Sequence, residues 1–400
     1  MYNNKQNITT IGIVLSTVPG YSETFFRNKI KGLQSSGFEV VLFVDYTSPD
    51  DHLFPCKVVA ATDVSGGFIK TVFNSVLSII KAIIYHPKRS MNLYYLDKKD
   101  GKSLQNRLKF AILNQFFLKE KLDWLHFGFG MLANERENVA EAMDAKMAVS
   151  FRGYDLYLSP LKHRGCYDLL FQKNAQYHVL SEEMKHTLID YKINPNKIKV
   201  ITPAIDVSFF QASNKPDGNN AFVKIVTVAR LHWKKGLEYT LEALMHLKQA
   251  GVKFHYTIIG DGEEYERLIF AAYQMDIMEC ITFAGKVAHN AVKEHLEESD
   301  IYLQYSIQEG FCNAVLEAQA MGLLCIVSNA EGLSENVLNN ETGWVVPKRK
   351  PRVLAQKIND VLHLNAYEKQ RIRSCAVTRV RNEFNLEKQN QAFADFYNER

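Results

Sequence analysis

Short apolar runs alternate with longer amphipathic stretches along the chain, the rhythm of strands followed by helices. Ile8 to Ser16 reads as a buried strand. The polar loop Thr17 to Thr24 leads from it into a helical stripe of Phe25, Phe26, Ile30 and Leu33, and Gly37 stops that helix before a second apolar run, Glu39 to Asp45. Strand, helix and strand in this order predict a parallel sheet. Further strands are expected at Trp124 to Phe127, Ala148 to Phe151, Tyr177 to Leu180 and Lys199 to Ile201. About six strand–helix units then fit before residue 203.

Turn formers cluster without apolar periodicity at Ser213 to Asn220, which predicts a linker or an exposed hairpin. The rhythm restarts beyond it. Strands are expected at Lys224 to Ala229, Phe254 to Ile259, Ile281 to Ala284, Ile301 to Tyr305, Leu324 to Ser328 and Gly343 to Val346. Helices are expected at Gly236 to Ala250, Glu263 to Met275 and Asn313 to Met321. The last run, Leu362 to Arg400, is helical with no strand after it. The expected fold class is therefore α/β, with two Rossmann-like domains over 1–203 and 204–380 and a C-terminal helix, 381–400, crossing back to the first. Four hundred residues exceed what one hydrophobic core fills, which agrees with two domains.

Charge narrows the partners. A net charge of +4 without any run of five like charges gives no ground for a nucleic-acid partner. The six cysteines lie far apart with no Cys-x-x-Cys pair, so reduced thiols and a cytoplasmic setting are expected. The start, MYNNKQNITT, has neither a basic cluster nor an apolar run, and no cleaved leader is expected from it. Phe68 to Tyr85 is apolar but interrupted by Lys70 and Lys81, which argues against a membrane span. Between Pro87 and Lys121 nine Lys or Arg face three acids. With Phe73, Val76, Leu77, Ile80 and Ile84 at helical spacing, residues 68–121 have the ingredients of an interfacial helix and of peripheral membrane contact. An ordinary core-facing helix with a solvated basic face is the other reading.

The densest chemistry is Glu309 to Glu317, EGFCNAVLE, two carboxylates eight positions apart across a strand-to-helix junction. With Asn313 as N-cap, the amides of Ala314, Val315 and Leu316 point out of a helix start, where the dipole favours an anion such as a diphosphate. Glu317, about one turn in, is placed to accept two hydrogen bonds from a ribose diol. Glu309 on the loop is placed for sugar hydroxyls. Arg230 closes a strand and Lys235 precedes a helix start, so both cations are expected on the same phosphates. Asp261-Gly262-Glu263 reads as a turn rather than a metal site.

The segment EGFCNAVLE resembles the Glu-x7-Glu motif of glycosyltransferase family 4, a retaining family with the GT-B fold, two Rossmann-like domains facing a central cleft. VARLHWKKG, IIGDGEEYERL, FAGKV, EGLSENV and ETGWVVP, between Val226 and Pro347, are similar to the same family. The resemblance implies a sugar transferase acting on a nucleotide-diphosphate sugar, without cofactor or metal. It implies catalytic roles for Arg230, Lys235 and Glu309, with the two cations in the place of a divalent metal. Gly310, Phe311, Cys312, Asn313, Ala314, Val315 and Glu317 would bind the donor, and Gly285, Lys286 and Val287 would contact the nucleobase or simply form a turn.

The first domain is similar to the exopolysaccharide, colanic-acid-type branch. Its PGYSETF loop offers backbone amides near Gly20 to a donor phosphate or an acceptor, while Ser22 and Glu23 equally well cap the next helix. His126 matches the His of a His-Phe-Gly pattern, which implies an acceptor contact; a half-buried histidine with a backbone partner is the alternative. Ser150-Phe151-Arg152-Gly153-Tyr154-Asp155 resembles a Ser-Phe-His-Gly-x-Asp pattern with Arg152 in place of the usual histidine. An arginine cannot act as base and would bind an anion there, with Asp155 also assigned to the acceptor. The acceptor implied is a glycan or a lipid-linked oligosaccharide. A non-catalytic subunit that binds nucleotide sugars within a polysaccharide assembly complex is the competing reading, and an epimerase on the same fold a third.

Overall fold

The computed structural model describes residues 8–20, 24–46, 54–61, 77, 80, 84, 86–211 and 222–399. The SNKPDGNN linker, Ser22, Glu23 and most of 62–85 lie outside them. The chain divides into two compact units: 1–179, 185–201 and 390–400 in the first, and 180–184 with 202–389 in the second.

The first unit holds a seven-stranded parallel sheet in the order β3-β2-β1-β4-β5-β6-β7. Its strands are β1 (Thr10–Leu15), β2 (Glu39–Val44), β3 (Lys57–Ala60), β4 (Trp124–Phe127), β5 (Lys146–Ser150), β6 (Ala175–Val179) and β7 (Ile198–Val200). The central strands are buried on both faces, as a helix-covered parallel sheet requires, so they read as continuous apolar runs. β3 escapes the sequence pattern. It is a four-residue edge strand, half-buried and too short to stand out.

The second unit holds a six-stranded parallel sheet in the order β10-β9-β8-β11-β12-β13. Its strands are β8 (Val223–Val228), β9 (Phe254–Ile259), β10 (Ile281–Gly285), β11 (Ile301–Gln304), β12 (Leu324–Ser328) and β13 (Trp344–Val346). Its core gathers Leu241, Leu244, Ile258, Leu303, Ile326 and Ile358.

The terminal helical run is three helices, Pro351–Leu362, Ala366–Glu383 and Leu386–Asn398. Asn365 caps the second through Glu368 N, and Asn385 marks the break before the third by accepting from Lys388 N. The return to the first unit therefore begins at 390 rather than 381. From there Phe393, Phe396 and Tyr397 enter the first core, and Trp124 Nε1 donates to Tyr397 O at 3.1 Å.

Candidate functional site

Each sheet reverses its direction of growth once, between β1 and β4 and between β8 and β11. Ligands of open α/β sheets bind beyond the carboxyl ends of strands at such points. In the second unit that crevice is flanked by the loop after β8, which carries Arg230 and Lys235, and the loop after β11, which carries Glu309.

Backbone bonds fix the two loops together. Lys234 O accepts from Ile307 N at 2.7 Å. Gly236 has φ 64°, and a Cβ there would lie 2.2 Å from Tyr305 O, so only glycine lets the turn come this close. The consequence is that Lys235 Nζ pairs with Glu309 Oε2, both side chains largely withdrawn from water. Burial works against the Lys235 charge, but the Glu309 carboxylate outweighs it and lifts the ammonium above the ordinary lysine value. Lys234 is held below that value, first by burial and then by Lys235 and Arg230, a sign that three cations share this corner. Arg230 itself is exposed.

The helix Asn313–Ala320 starts at the mouth of the same crevice. Its N-cap is Cys312, not Asn313, so the first outward amides belong to Asn313, Ala314 and Val315, one residue earlier than expected. Phe311 and Cys312 are buried. Glu317 is half-buried, and burial alone raises its carboxyl to about 7.

The sequence reading missed the clamp behind this loop. Glu331 Oε2 accepts from Glu309 N at 2.9 Å, and Lys348 holds Glu331 at 2.9 Å. Gly332 N donates to Glu309 O at 3.0 Å. Asn336 accepts from Cys312 N at 2.9 Å and donates to Cys312 O at 3.1 Å. The only signal in the sequence is the EGLSENV match itself, which carries no role by its spacing. Beyond β9, Gly262 packs on Leu231 O and Asp261 Oδ1 accepts from Gly262 N, the geometry of a turn. Gly285, with φ 67°, ends β10, where Lys286 is exposed and Val287 half-buried.

In the first unit the expected acceptor residues separate. Gly20 is exposed, with open space where a Cβ would stand. Asp155 is buried, its two oxygens accepting from Gly130 N at 2.7 Å and Arg152 N at 2.5 Å. Burial raises its carboxyl to about 6, against those two bonds. It clamps the loops after β4 and β5 together rather than facing an acceptor. Arg152 is half-buried, its guanidinium 4.1 Å from the centre of the Phe25 ring and 4.7 Å from that of Phe26.

His126 is wholly buried, which corrects its assignment to an acceptor. Its place in the core is explained by a hydrogen-bond chain whose direction is fixed. His178 Nε2 meets Ile201 O at 3.0 Å and must donate, so its Nδ1 accepts from Ser150 Oγ at 2.7 Å. Ser150 in turn accepts from His126 Nε2 at 2.7 Å, leaving His126 Nδ1 to accept from Tyr397 OH at 2.5 Å. Both imidazoles are held well below the ordinary histidine value, first by burial and next by the neighbouring Lys29. A lowered folded value means that the unfolded chain takes up protons first as pH falls below about 6.5. Stability contributed by the neutral pair is present above that pH and lost below it, by up to about 1.4 kcal/mol per histidine per pH unit. Thermal unfolding scanned from pH 7 to pH 5 is expected to show a falling midpoint, with a smaller fall in His178→Gln; an identical slope in both would overturn the assignment.

Residues 209–376 match the family described as glycosyl transferases group 1. Along 96% of the chain and 98% of the relative, the sequence is 26% identical to the colanic acid biosynthesis glycosyltransferase WcaL of Escherichia coli. The chain thus carries a group 1 glycosyltransferase domain over residues 209–376. This glycosyltransferase is also 32% identical to the amylovoran biosynthesis glycosyltransferase AmsK of Erwinia amylovora, over 58% of each chain. Among solved structures it resembles a glycosyltransferase from Rickettsia africae, with a TM-score of 0.70 at 20% identity over 98% of both chains. It also resembles Anabaena HepE in complex with UDP and glucose, with a TM-score of 0.72 at 15% identity over 97% of this chain and 99% of that one. The fold of this glycosyltransferase is thus GT-B, two parallel α/β units.

Proposed function

We propose that this glycosyltransferase moves a sugar, with retention and without a metal, from a UDP- or GDP-sugar to a glycan or lipid-linked acceptor in surface polysaccharide biosynthesis, at the cytoplasmic face of the membrane. The observation that carries the donor assignment is the Lys235–Glu309 pair at the mouth of the Asn313–Ala320 helix. The names of WcaL and AmsK support the polysaccharide class, and the UDP and glucose held by the HepE structure support a sugar nucleotide.

On this reading the diphosphate takes Lys235 from Glu309 and lies against the helix amides, with Arg230 and Lys234 adding positive charge. Glu309, released, accepts from hydroxyls of the transferred sugar. The charges that leave with the nucleotide are then met by fixed cations and amides, which stabilise departure without water having to reorganise. Glu317 accepts from the ribose.

Glu317 gives this reading a pH signature. With a carboxyl at about 7 in the empty protein, the acid is neutral below that pH and a carboxylate above it. A ribose diol donates only to the carboxylate form with full strength. Nucleotide affinity is expected to rise about tenfold from pH 6 to pH 8, and Glu317→Gln to flatten the rise. The broader test is a thermal-shift panel of nucleotide sugars with free nucleotides as controls, followed by transfer and donor-hydrolysis assays. Stabilisation by none of them would overturn the proposal, and tight binding without transfer or hydrolysis would favour the non-catalytic subunit.

A further inference from the structure

The first unit exposes large apolar side chains within one short segment, and they share a setting. Leu77, Ile80 and Ile84 are helical, spaced three and four apart so that they fall on one face, and are exposed by 37% to 66%. Met91 and Tyr95 follow on the helix Pro87–Lys99, and Leu104 and Leu108 on the helix Leu104–Leu118, all about half exposed.

Met91, Tyr95, Leu104 and Leu108 adjoin. The helices Pro87–Lys99 and Leu104–Leu118 pack against each other across a short link. Arg107, which lies between Leu104 and Leu108, donates to Tyr94 OH at 3.0 Å, and the Tyr94 ring touches that of Tyr95. Leu93 is the buried side of its helix. At about 100° per residue Met91 and Tyr95 point directly away from it, and Lys88, Lys98 and Lys99 fall within about 60° of that outward direction.

Charge says what covers this face. The acids of the two helices and their flanks are all turned to other work. Asp97 is buried against Lys102 at 3.1 Å, Asp100 is held by Lys173 at 2.6 Å, and Glu120 by Lys57 at 2.7 Å. Lys109 is partnered by Glu135, but Lys88, Lys98 and Lys99 stand exposed beside Met91 and Tyr95 with no acid on their side of the helix. A protein partner of mixed charge would leave these lysines without complement. A negatively charged lipid surface meets them with headgroups while the apolar side chains reach the acyl boundary, and a tyrosine at that level suits the interface.

We infer that Met91, Tyr95, Leu104 and Leu108, ringed by Lys88, Lys98 and Lys99, form a docking surface for an anionic bilayer. The inference deepens the membrane part of the proposed function by naming the surface. It is read without donor or acceptor, so its failure leaves the donor site untouched.

The experiment is co-sedimentation of the full chain with vesicles of phosphatidylcholine, with and without phosphatidylglycerol, at low and high salt. Binding is expected only with phosphatidylglycerol and is expected to weaken with salt. Lys98→Ala and Lys99→Ala should each weaken it about fivefold. Met91→Glu with Tyr95→Glu should abolish it, with circular dichroism and the melting midpoint unchanged, since both side chains point to solvent. No binding to either vesicle, or equal binding by the Met91→Glu/Tyr95→Glu variant, would overturn the inference. So would a concentration-dependent dimer in sedimentation velocity that the same variant dissolves, because a second copy would then cover the face.

Discussion

Lys235→Ala is expected to lower the rate of sugar transfer by about 10² to 10³, with folding intact. The side chain is largely withdrawn from water and is ion-paired with Glu309. On the proposed function, removing it takes one fixed positive charge from the place where a leaving diphosphate gathers negative charge, and leaves exposed Arg230 and half-buried Lys234. The variant also leaves Glu309 without its ion-pair partner. Glu309→Ala should likewise abolish transfer, but through the sugar side. Steady-state rates with the donor found by the thermal-shift panel check both. Near-normal turnover in Lys235→Ala would remove the metal-free phosphate site from the mechanism.

Gly332→Ala is expected to be the most damaging single methyl group in the second unit. A Cβ at Gly332 would stand 1.7 Å from Gly310 O, a backbone atom next to Glu309, whose O is held by Gly332 N and whose N is held by Glu331. Overpacking of this kind costs about 3 kcal/mol or more when backbone must shift, which lowers the melting midpoint by about 6 to 12 °C for a unit of this size. Donor affinity should fall together with stability, since Glu309 rides on the displaced loop. Gly20→Ala is the control, because nothing lies within 4 Å of its Cβ position. Its melting midpoint should match the parent, and a Gly332→Ala midpoint equal to it would refute the clamp.

The alternation of apolar and amphipathic stretches made the two sheets legible, because a strand buried on both faces writes itself as an unbroken run such as Ile11 to Leu15. The loops that flank the crevice of the second unit were legible for a similar reason. Arg230, Lys235, Glu309 and Glu317 sit in short local patterns at strand ends, and their spacing carries their placement. What joins those patterns is not local. Glu331, Gly332, Asn336 and Lys348 act by reaching across space to a loop that precedes them by some twenty to forty positions, and nothing in their own neighbourhood announces it. His126 failed in the opposite way. A histidine at a strand's carboxyl end reads alike whether it meets a ligand or the core, and the residue that decides the matter, Tyr397, comes from the far end of the chain. Asp155 is the same case, its oxygens claimed by two backbone amides that no spacing reveals.

The Lys235–Glu309 contact also governs what the resting crevice turns away. A bare inorganic anion arriving at Lys235 would have to pull it from Glu309 and would leave that carboxylate facing a second negative charge. A ligand bearing a phosphate for one partner and hydroxyls for the other satisfies both at once. On the proposed function, discrimination between intact donor and stray salts, or spent nucleotide, would be a property of two side chains that hold each other until the right molecule separates them.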